Sequence, residues 1–297
     1  MSDSFREWMK TTQANFELSL AALLPATSVV PERLHQAMRY AALDGGKRVR
    51  PLLVYAAGRL FEAPPALLAR AAAALEMIHA YSLVHDDMPC MDDDALRRGK
   101  PTVHVQYDEA TALLVGDALQ AQAFLVLSAG DGDENAARQL AMVRLLAQAA
   151  GSTGMCGGQA IDLASVGLAL TREQLEQMHQ LKTGALLRAS VLMGAMAGKT
   201  LSAAEVEALD GYAAAIGLAF QVVDDVLDAT ADSATLGKTA GKDAADNKPT
   251  YVSILGLEAS RQLAEKLCSD AHAALLPFGE KAQQLHDLAD LIVQRKA

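Results

Sequence analysis

The chain has 297 residues, with 26 Lys+Arg against 36 Asp+Glu and a formal net charge of −10, which argues against a general nucleic-acid binder. A hydrophobic share of 51% supports a sizeable core and carries no signature of disorder. Aromatic content is only 4% while alanine and leucine abound, the usage of a helical protein.

No apolar run reaches the roughly 18 residues of a membrane span, so none is expected. The N-terminal "MSDSFREWMKTTQ" lacks the basic start and apolar stretch of a signal peptide. Cys90, Cys156 and Cys268 are odd in number, far apart and without a CxxC pair, so neither a disulfide framework nor a zinc site is expected. The expectation is a soluble cytoplasmic protein.

Apolar residues recur at three- and four-residue spacing through "ARAAAALEMIHAYSLVHDD", "ATALLVGDALQAQAFLVLSA", "NAARQLAMVRLLAQAAG", "TREQLEQMHQLKTGALLRASVLMGAMAG" and "SAAEVEALDGYAAAIGLAFQVVDDVLDA". Strand-like alternation is absent. Breaks fall at "EAPPA", "MPCM", "AGDGDEN" and "LGKTAGKDAADNKPT", each rich in Gly, Pro, Asp or Asn. "TREQ" and "SAAE" have the pattern of capping boxes. With no Pro- or Ser-rich linker and no tandem repeat, residues 1–297 read as one all-α domain of ten or more helices. "DGYAAAIGLAFQVVDDVLDA" is apolar nearly all round, as a buried central helix is.

Charge is concentrated in a few places along this helical frame. "DGGKRVRP" sets Lys47, Arg48 and Arg50 beside Gly45 and Gly46, a possible phosphate cradle without the spacing of a Walker A loop. In "LVHDDMPCMDDDALRRGKPT", Asp86, Asp87, Asp92, Asp93 and Asp94 crowd together, with Arg97 and Arg98 following. Pro89 ends the preceding helix near His85–Asp87. Asp86 and Asp87 thus stand at a helix C-terminus, where the macrodipole already disfavours negative charge. Such crowding needs a cation. "LKTG" supplies Lys182 and Thr183, and the late loop supplies Lys238, Lys242 and Lys248.

The second acidic cluster, Asp224, Asp225 and Asp228 in "QVVDDVLDA", lies inside an apolar helix. Asp224 and Asp228 are spaced i, i+4 and share a face. A hard divalent cation with oxygen ligands would offset the burial of such carboxylates, and Mg²⁺ bridging to phosphate is the common case. Acidic metal sites with several separate basic groups point to substrates carrying more than one phosphate. Neither a GxSxG elbow nor a cysteine with an activating partner is present. His79 lies two helical turns before Asp86. His85 stays without a role.

These blocks resemble the trans-polyprenyl diphosphate synthases. "LVHDDMPCMDDDALRRGKPT" is similar to that family's first aspartate-rich motif in its bacterial DDxxxxD form, and "FQVVDDVLD" to the second, DDxxD. "GGKRVRP", "GMCGGQAIDL", "LKTGALLRAS" and "LGKTAGKDAADNKPTY" match further blocks in order, from about residue 30 onward. One departure is Ala95, where many relatives carry another aspartate.

The resemblance implies an orthogonal multi-helix bundle of the isoprenoid synthase type around a central cavity, usually as a homodimer. It implies Mg²⁺, three ions per site with Mn²⁺ able to substitute, on Asp86 and Asp92 of the first motif and Asp224 of the second. Asp87, Asp93 and Asp228 would assist through water. Lys47, Arg50, His79 and Arg98 would hold isopentenyl diphosphate. Arg97, Lys182 and Lys238, with Lys248 nearby, would clamp an allylic diphosphate, dimethylallyl or geranyl. Thr183 and Gln221 would aim oxygen dipoles at an allylic cation. Tyr81, with Ser82 beside it, would set product length, the aromatic ring matching a C15 farnesyl product. The alternatives within the family are a geranyl or geranylgeranyl product, or a non-catalytic subunit of a heteromeric synthase. A terpene cyclase is disfavoured by "GGKRVRP", and a di-metal carboxylate bundle by the lack of Glu-x-x-His pairs.

Overall fold

Helix-forming alanine, leucine and glutamate dominate the periodic segments, and the chain folds accordingly. The computed structural model describes residues 2–130, 136–230 and 249–295. Among these, the first helices are α1 (Asp3–Leu23), α2 (Glu32–Ala42), α3 (Val49–Arg59) and α4 (Pro65–Asp86). They continue as α5 (Val103–Gln106), α6 (Glu109–Ser128), α7 (Ala136–Ala150), α8 (Met155–Ala164), α9 (Arg172–His179) and α10 (Ala185–Gly198). The last are α11 (Ala203–Thr230), α12 (Tyr251–Leu255), α13 (Leu257–Ala274) and α14 (Gln283–Gln294).

Both capping boxes form as the sequence predicts. Thr171 accepts from the Gln174 N–H at 3.3 Å, and the Gln174 side chain accepts from the Thr171 N–H at 2.9 Å. Ser202 and Glu205 repeat the exchange at 3.3 and 2.8 Å. Pro65 opens α4, where its missing N–H is harmless.

The core has two halves. One gathers residues of α1, α2, α4, α6 and α7, the other residues of α3, α11, α13 and α14. Helix α10 lies between them. Its Leu186, Ala189, Met193 and Ala197 face the first half, and Leu187, Val191 and Ala195 the second. Each half is organised by one long apolar helix, α4 packed on α6 and α11 packed on α13. Each leucine buried there contributes ~2 kcal/mol.

Two expectations are corrected. Three helices, α4, α6 and α11, are long and apolar enough to cross a membrane by length and composition. Within the protein 67%, 44% and 50% of the α4, α6 and α11 windows are buried. A minimal antiparallel pair, β1 (Leu96–Arg97) and β2 (Lys100–Pro101), also forms where no strand is legible. Its two-residue turn, Arg98 and Gly99, takes φ of 53° and 75°, the left-handed pair of a tight hairpin.

Candidate active site

The first aspartate cluster is shaped by the abrupt end of α4. After Asp86 the backbone reverses: the Asp92 N–H donates to the Asp86 carbonyl at 2.8 Å, and the Met88 carbonyl accepts from Met91 and Asp93. This fold-back brings the Asp92 backbone against that of Asp86 and leaves Asp93 exposed with φ of 50°. The Asp86 carboxyl is pushed up to about 6, first by burial. Asp92 and Asp87 push the same way, against Lys182 and Arg97.

Asp87 is buried and takes a two-pronged contact from Arg97, Nε at 2.8 and 2.9 Å and Nη2 at 2.5 Å. Sequence analysis sets Asp87 near metal and Arg97 on a diphosphate; the hairpin brings the two onto each other.

The basic turn before α3 divides its work. Arg48, left-handed at φ 52°, turns inward to Glu17 at 2.6 Å, Glu76 at 2.7 Å and the Ala42 carbonyl at 2.8 Å. It fixes the turn. Lys47, Arg50, His79 and Arg98, the four residues expected to hold isopentenyl diphosphate, line one cavity of about 490 Å³ with Phe220, Asp224 and Arg295. Glycine is required here: Gly46 has φ of 82°, and a Cβ on it would lie 2.6 Å from the Arg98 guanidinium.

This cavity is strongly electropositive. Burial lowers the pKa of Lys47, with Arg295 acting the same way. Burial also lowers Arg50 and Arg98, each with cationic neighbours adding to the effect and Glu76 opposing it. His79 falls well below its usual range, through burial first and then Arg50, Arg98, Arg97 and Arg48. The Arg50 Nε has no hydrogen-bond partner among the described residues. Crowded cations that weaken one another make a receptor for a multiply charged anion.

A second cavity of about 230 Å³ shares Arg50 and His79 as a common wall. Its lining adds Asp86, Lys182 and Thr183 at one part and Tyr81, Ser82, Met155 and Cys156 at another. Lys182 and Thr183 lie on a π turn, Gln180–Gly184, a geometry frequent at functional sites. Helix α8 approaches this turn so closely that a Cβ on Gly158 would sit 2.1 Å from the Lys182 nitrogen. Lys182 Nζ donates to Asp162 at 2.5 Å, and the Thr183 hydroxyl donates to the Gln221 oxygen at 2.9 Å. Tyr81 is buried and meets His85 edge-on at 5.8 Å, while the Ser82 hydroxyl donates to the His79 carbonyl at 2.9 Å. His85 reaches the Leu113 carbonyl at 3.1 Å and so joins α4 to α6.

The second motif splits likewise. Asp224 faces the cationic cavity and accepts from Arg295 at 2.6 Å, the guanidinium stacking on Phe220 at 3.8 Å. Asp225 accepts the Tyr251 N–H at 2.7 Å and anchors α12. Asp228 is buried. Lys238, Lys242 and Lys248 lie outside the described residues.

Glu76, Asp162 and Arg295 carry no role from sequence, yet each fixes a site cation or aspartate. For Asp162 a signal existed, a charged residue at the end of "GMCGGQAIDL". Gln159 in the same block offers an amide whose nitrogen and oxygen both lack partners among the described residues.

Just before the π turn, His179 stacks on Tyr251 at 5.6 Å and is 7% exposed, neither ring nitrogen being hydrogen-bonded among the described residues. Burial, opposed by Asp162 and aided by Lys182, lowers it to about 4. Because the folded value lies below the unfolded one, His179 adds stability that is full above pH 6.5 and lost as pH falls towards 4. The loss is up to about 3 kcal/mol. His179→Phe is expected to flatten the drop in melting temperature over that window; an unchanged profile would contradict this.

Asp86, Asp92 and Asp224 offer only hard carboxylate oxygens, and burial disfavours the charged Asp86 carboxylate, a cost that a bound cation would offset, so the donors fit Mg²⁺.

The helical bundle holds two adjoining cavities that share Arg50 and His79, one lined largely by cations and one walled by carboxylate, lysine and hydroxyl. The chain belongs to the polyprenyl synthetase family, whose model matches residues 31–275. It is 50% identical to the farnesyl diphosphate synthase of Escherichia coli strain K12, over 88% of either chain. Among solved structures it resembles an FPP/GFPP synthase from Zymomonas mobilis, with TM-score 0.88 and 42% identity over 99% of this chain and 100% of that one. A geranyltransferase from Helicobacter pylori, complexed with magnesium and isoprenyl diphosphate, matches with TM-score 0.83 and 32% identity over 98% and 97%.

Proposed function

We propose that the chain is a farnesyl diphosphate synthase. It joins isopentenyl diphosphate to dimethylallyl diphosphate and then to geranyl diphosphate, head to tail, giving (2E,6E)-farnesyl diphosphate and releasing pyrophosphate each time. The observation that supports this reading best is the pair of cavities sharing Arg50 and His79, room for two diphosphates side by side.

Lys47, Arg50 and Arg98 hold the diphosphate of isopentenyl diphosphate, with neutral His79 offering one ring N–H. Lys182, kept in place by Asp162, binds the allylic diphosphate, with Arg97 and the late-loop lysines Lys238 and Lys248 contributing. Asp86, Asp92 and Asp224 hold Mg²⁺, with Asp87 and Asp228 supporting them. When bound, Mg²⁺ supplies positive charge that stabilises the departing pyrophosphate. As the allylic C–O bond breaks, Thr183, its hydroxyl hydrogen given to Gln221, keeps oxygen lone pairs for the allylic cation. The double bond of isopentenyl diphosphate then attacks that cation, and a proton leaves to the released pyrophosphate. Catalysis is positioning plus electrostatic stabilisation.

The reading carries with it a cytoplasmic location, suited to soluble charged substrates, and a homodimer. Exposed Leu114 and Leu125 lie three turns apart on one stripe of α6 and offer a second copy an apolar face. Light scattering should give twice 31.3 kDa; a monomeric mass would remove the dimer.

The test is incubation with isopentenyl and dimethylallyl diphosphates, with Mg²⁺ or EDTA, and product analysis by mass spectrometry. A Mg²⁺-dependent C15 product is expected. A C20 product would keep the chemistry and remove the C15 assignment; no condensation would favour a silent subunit.

A further inference from the structure

Outside the aspartate motifs, α13 and α14 pack together and each brings two metal-ligating side chains one helical turn apart, Cys268 with His272 and His286 with Asp290. His272 Nε2 lies 2.9 Å from Asp290 Oδ1, and Cys268 Sγ lies 3.5 Å from the same oxygen. One ligand atom from each of Cys268, His272 and Asp290 falls within 4.8 Å of the other two, and all three residues are half-buried. No other trio of His, Cys, Asp or Glu among the described residues does this, the site aspartates included. The other ring nitrogen of His272 is also engaged: its Nδ1 lies 2.5 Å from His286 Nδ1, the two rings near parallel at 9° with centroids 4.8 Å apart.

We propose that this helix pair binds one divalent transition-metal ion of the Zn²⁺ class through Cys268 Sγ, His272 Nε2 and Asp290 Oδ1, with water as fourth ligand. Tetrahedral bonds of about 2.0 Å to nitrogen or oxygen and about 2.3 Å to sulfur set ligand atoms roughly 3.3–3.6 Å apart. The separations from Asp290 Oδ1, 2.9 Å to nitrogen and 3.5 Å to sulfur, lie close to that range and the third is within 4.8 Å, so side-chain adjustments complete the site. Sulfur and imidazole select a softer ion than Mg²⁺, which separates this site chemically from the all-oxygen aspartates. His286 is the outer partner. Once Nε2 ligates, His272 Nδ1–H donates to His286 Nδ1, the arrangement that orients most metal-bound histidines. Binding releases the Cys268 thiol proton to solvent.

The expectation from sequence that no zinc site exists rested on the absence of CxxC spacing. Here the i, i+4 pairs of two helices take its place. The ion would also clasp α14, whose C-terminal neighbour Arg295 bonds Asp224. Its occupancy therefore bears on the active site through the helix.

The test uses the full chain without a histidine tag, stripped with EDTA and titrated with Co²⁺, in a Cys90→Ser, Cys156→Ser background that removes the two exposed thiols. One Co²⁺ per chain should give a near-ultraviolet sulfur-to-cobalt band and the strong visible bands of a four-coordinate ion. Cys268→Ser should abolish the near-ultraviolet band with the circular dichroism unchanged. His272→Asn should weaken affinity at least about 100-fold, and His286→Asn about 10-fold. Asp86→Asn should leave the spectrum intact. A spectrum without the sulfur band, one that survives Cys268→Ser, or one lost with Asp86→Asn would overturn the proposal.

Discussion

Asp86→Asn and Asp224→Asn are each expected to slow condensation about a thousandfold, ~4 kcal/mol of barrier, because each removes a carboxylate that holds the ion drawing charge onto the leaving group. The folds should survive for different reasons. The Asp86 carboxyl is pushed up to about 6, so its contribution to stability is full below about pH 3.8 and lost as pH rises through about 6. A neutral amide at neutral pH therefore leaves the melting temperature in EDTA unchanged or higher. At position 224, asparagine removes the charge partner of Arg295 but keeps an acceptor oxygen for its guanidinium, whose side chain is only 8% exposed. Stopped turnover with an intact melting transition separates a ligand role from a structural one. Rates within tenfold of the parent would contradict the metal assignment.

Tyr81→Ala is expected to shift the main product from C15 to C20. Tyr81 precedes Asp86 by five residues, about 7.5 Å along α4 at 1.5 Å per residue. It lines the same cavity as Asp86, Lys182 and Thr183, together with Met155 and Cys156. A chain growing away from the diphosphate along this helix meets the ring, and removing it opens room for a further five-carbon unit. Truncating a buried aromatic ring costs about 3–5 kcal/mol of stability, so the assay belongs at low temperature. Tyr81→Phe keeps the ring and should keep the C15 product, which assigns the effect to bulk rather than to the hydroxyl. An unchanged product spectrum in Tyr81→Ala would reduce Tyr81 to core packing.

The helices and their caps were legible because period and capping are local properties. Gathering Lys47, Arg50, His79 and Arg98 into one cavity follows the resemblance and not spacing, since these residues come from three separate segments. What sequence could not give were partnerships made by backbone reversal. The pairing of Arg97 with Asp87 depends on a two-residue hairpin too short to leave an alternating pattern. The burial of Arg48 depends on a left-handed residue that composition does not announce. The π turn under Lys182 is set by the close approach of α8 at Gly158, a tertiary contact. The reading that no apolar run is long enough for a membrane span missed α4, α6 and α11, whose length and composition reach that of one.

If the two substrates occupy separate sites, steady-state kinetics with both substrates varied will separate the residues of each. Arg98 lines the cationic cavity and not the one holding Asp86, whereas Lys182 lines the latter and not the former. Losing one charged hydrogen bond to a diphosphate is worth about 1.5–3 kcal/mol, tenfold or more in affinity. Arg98→Gln is therefore expected to raise KM for isopentenyl diphosphate at least about tenfold while that for geranyl diphosphate stays within about twofold, and Lys182→Gln to do the reverse. Equal effects of either substitution on both substrates would contradict the two-site account.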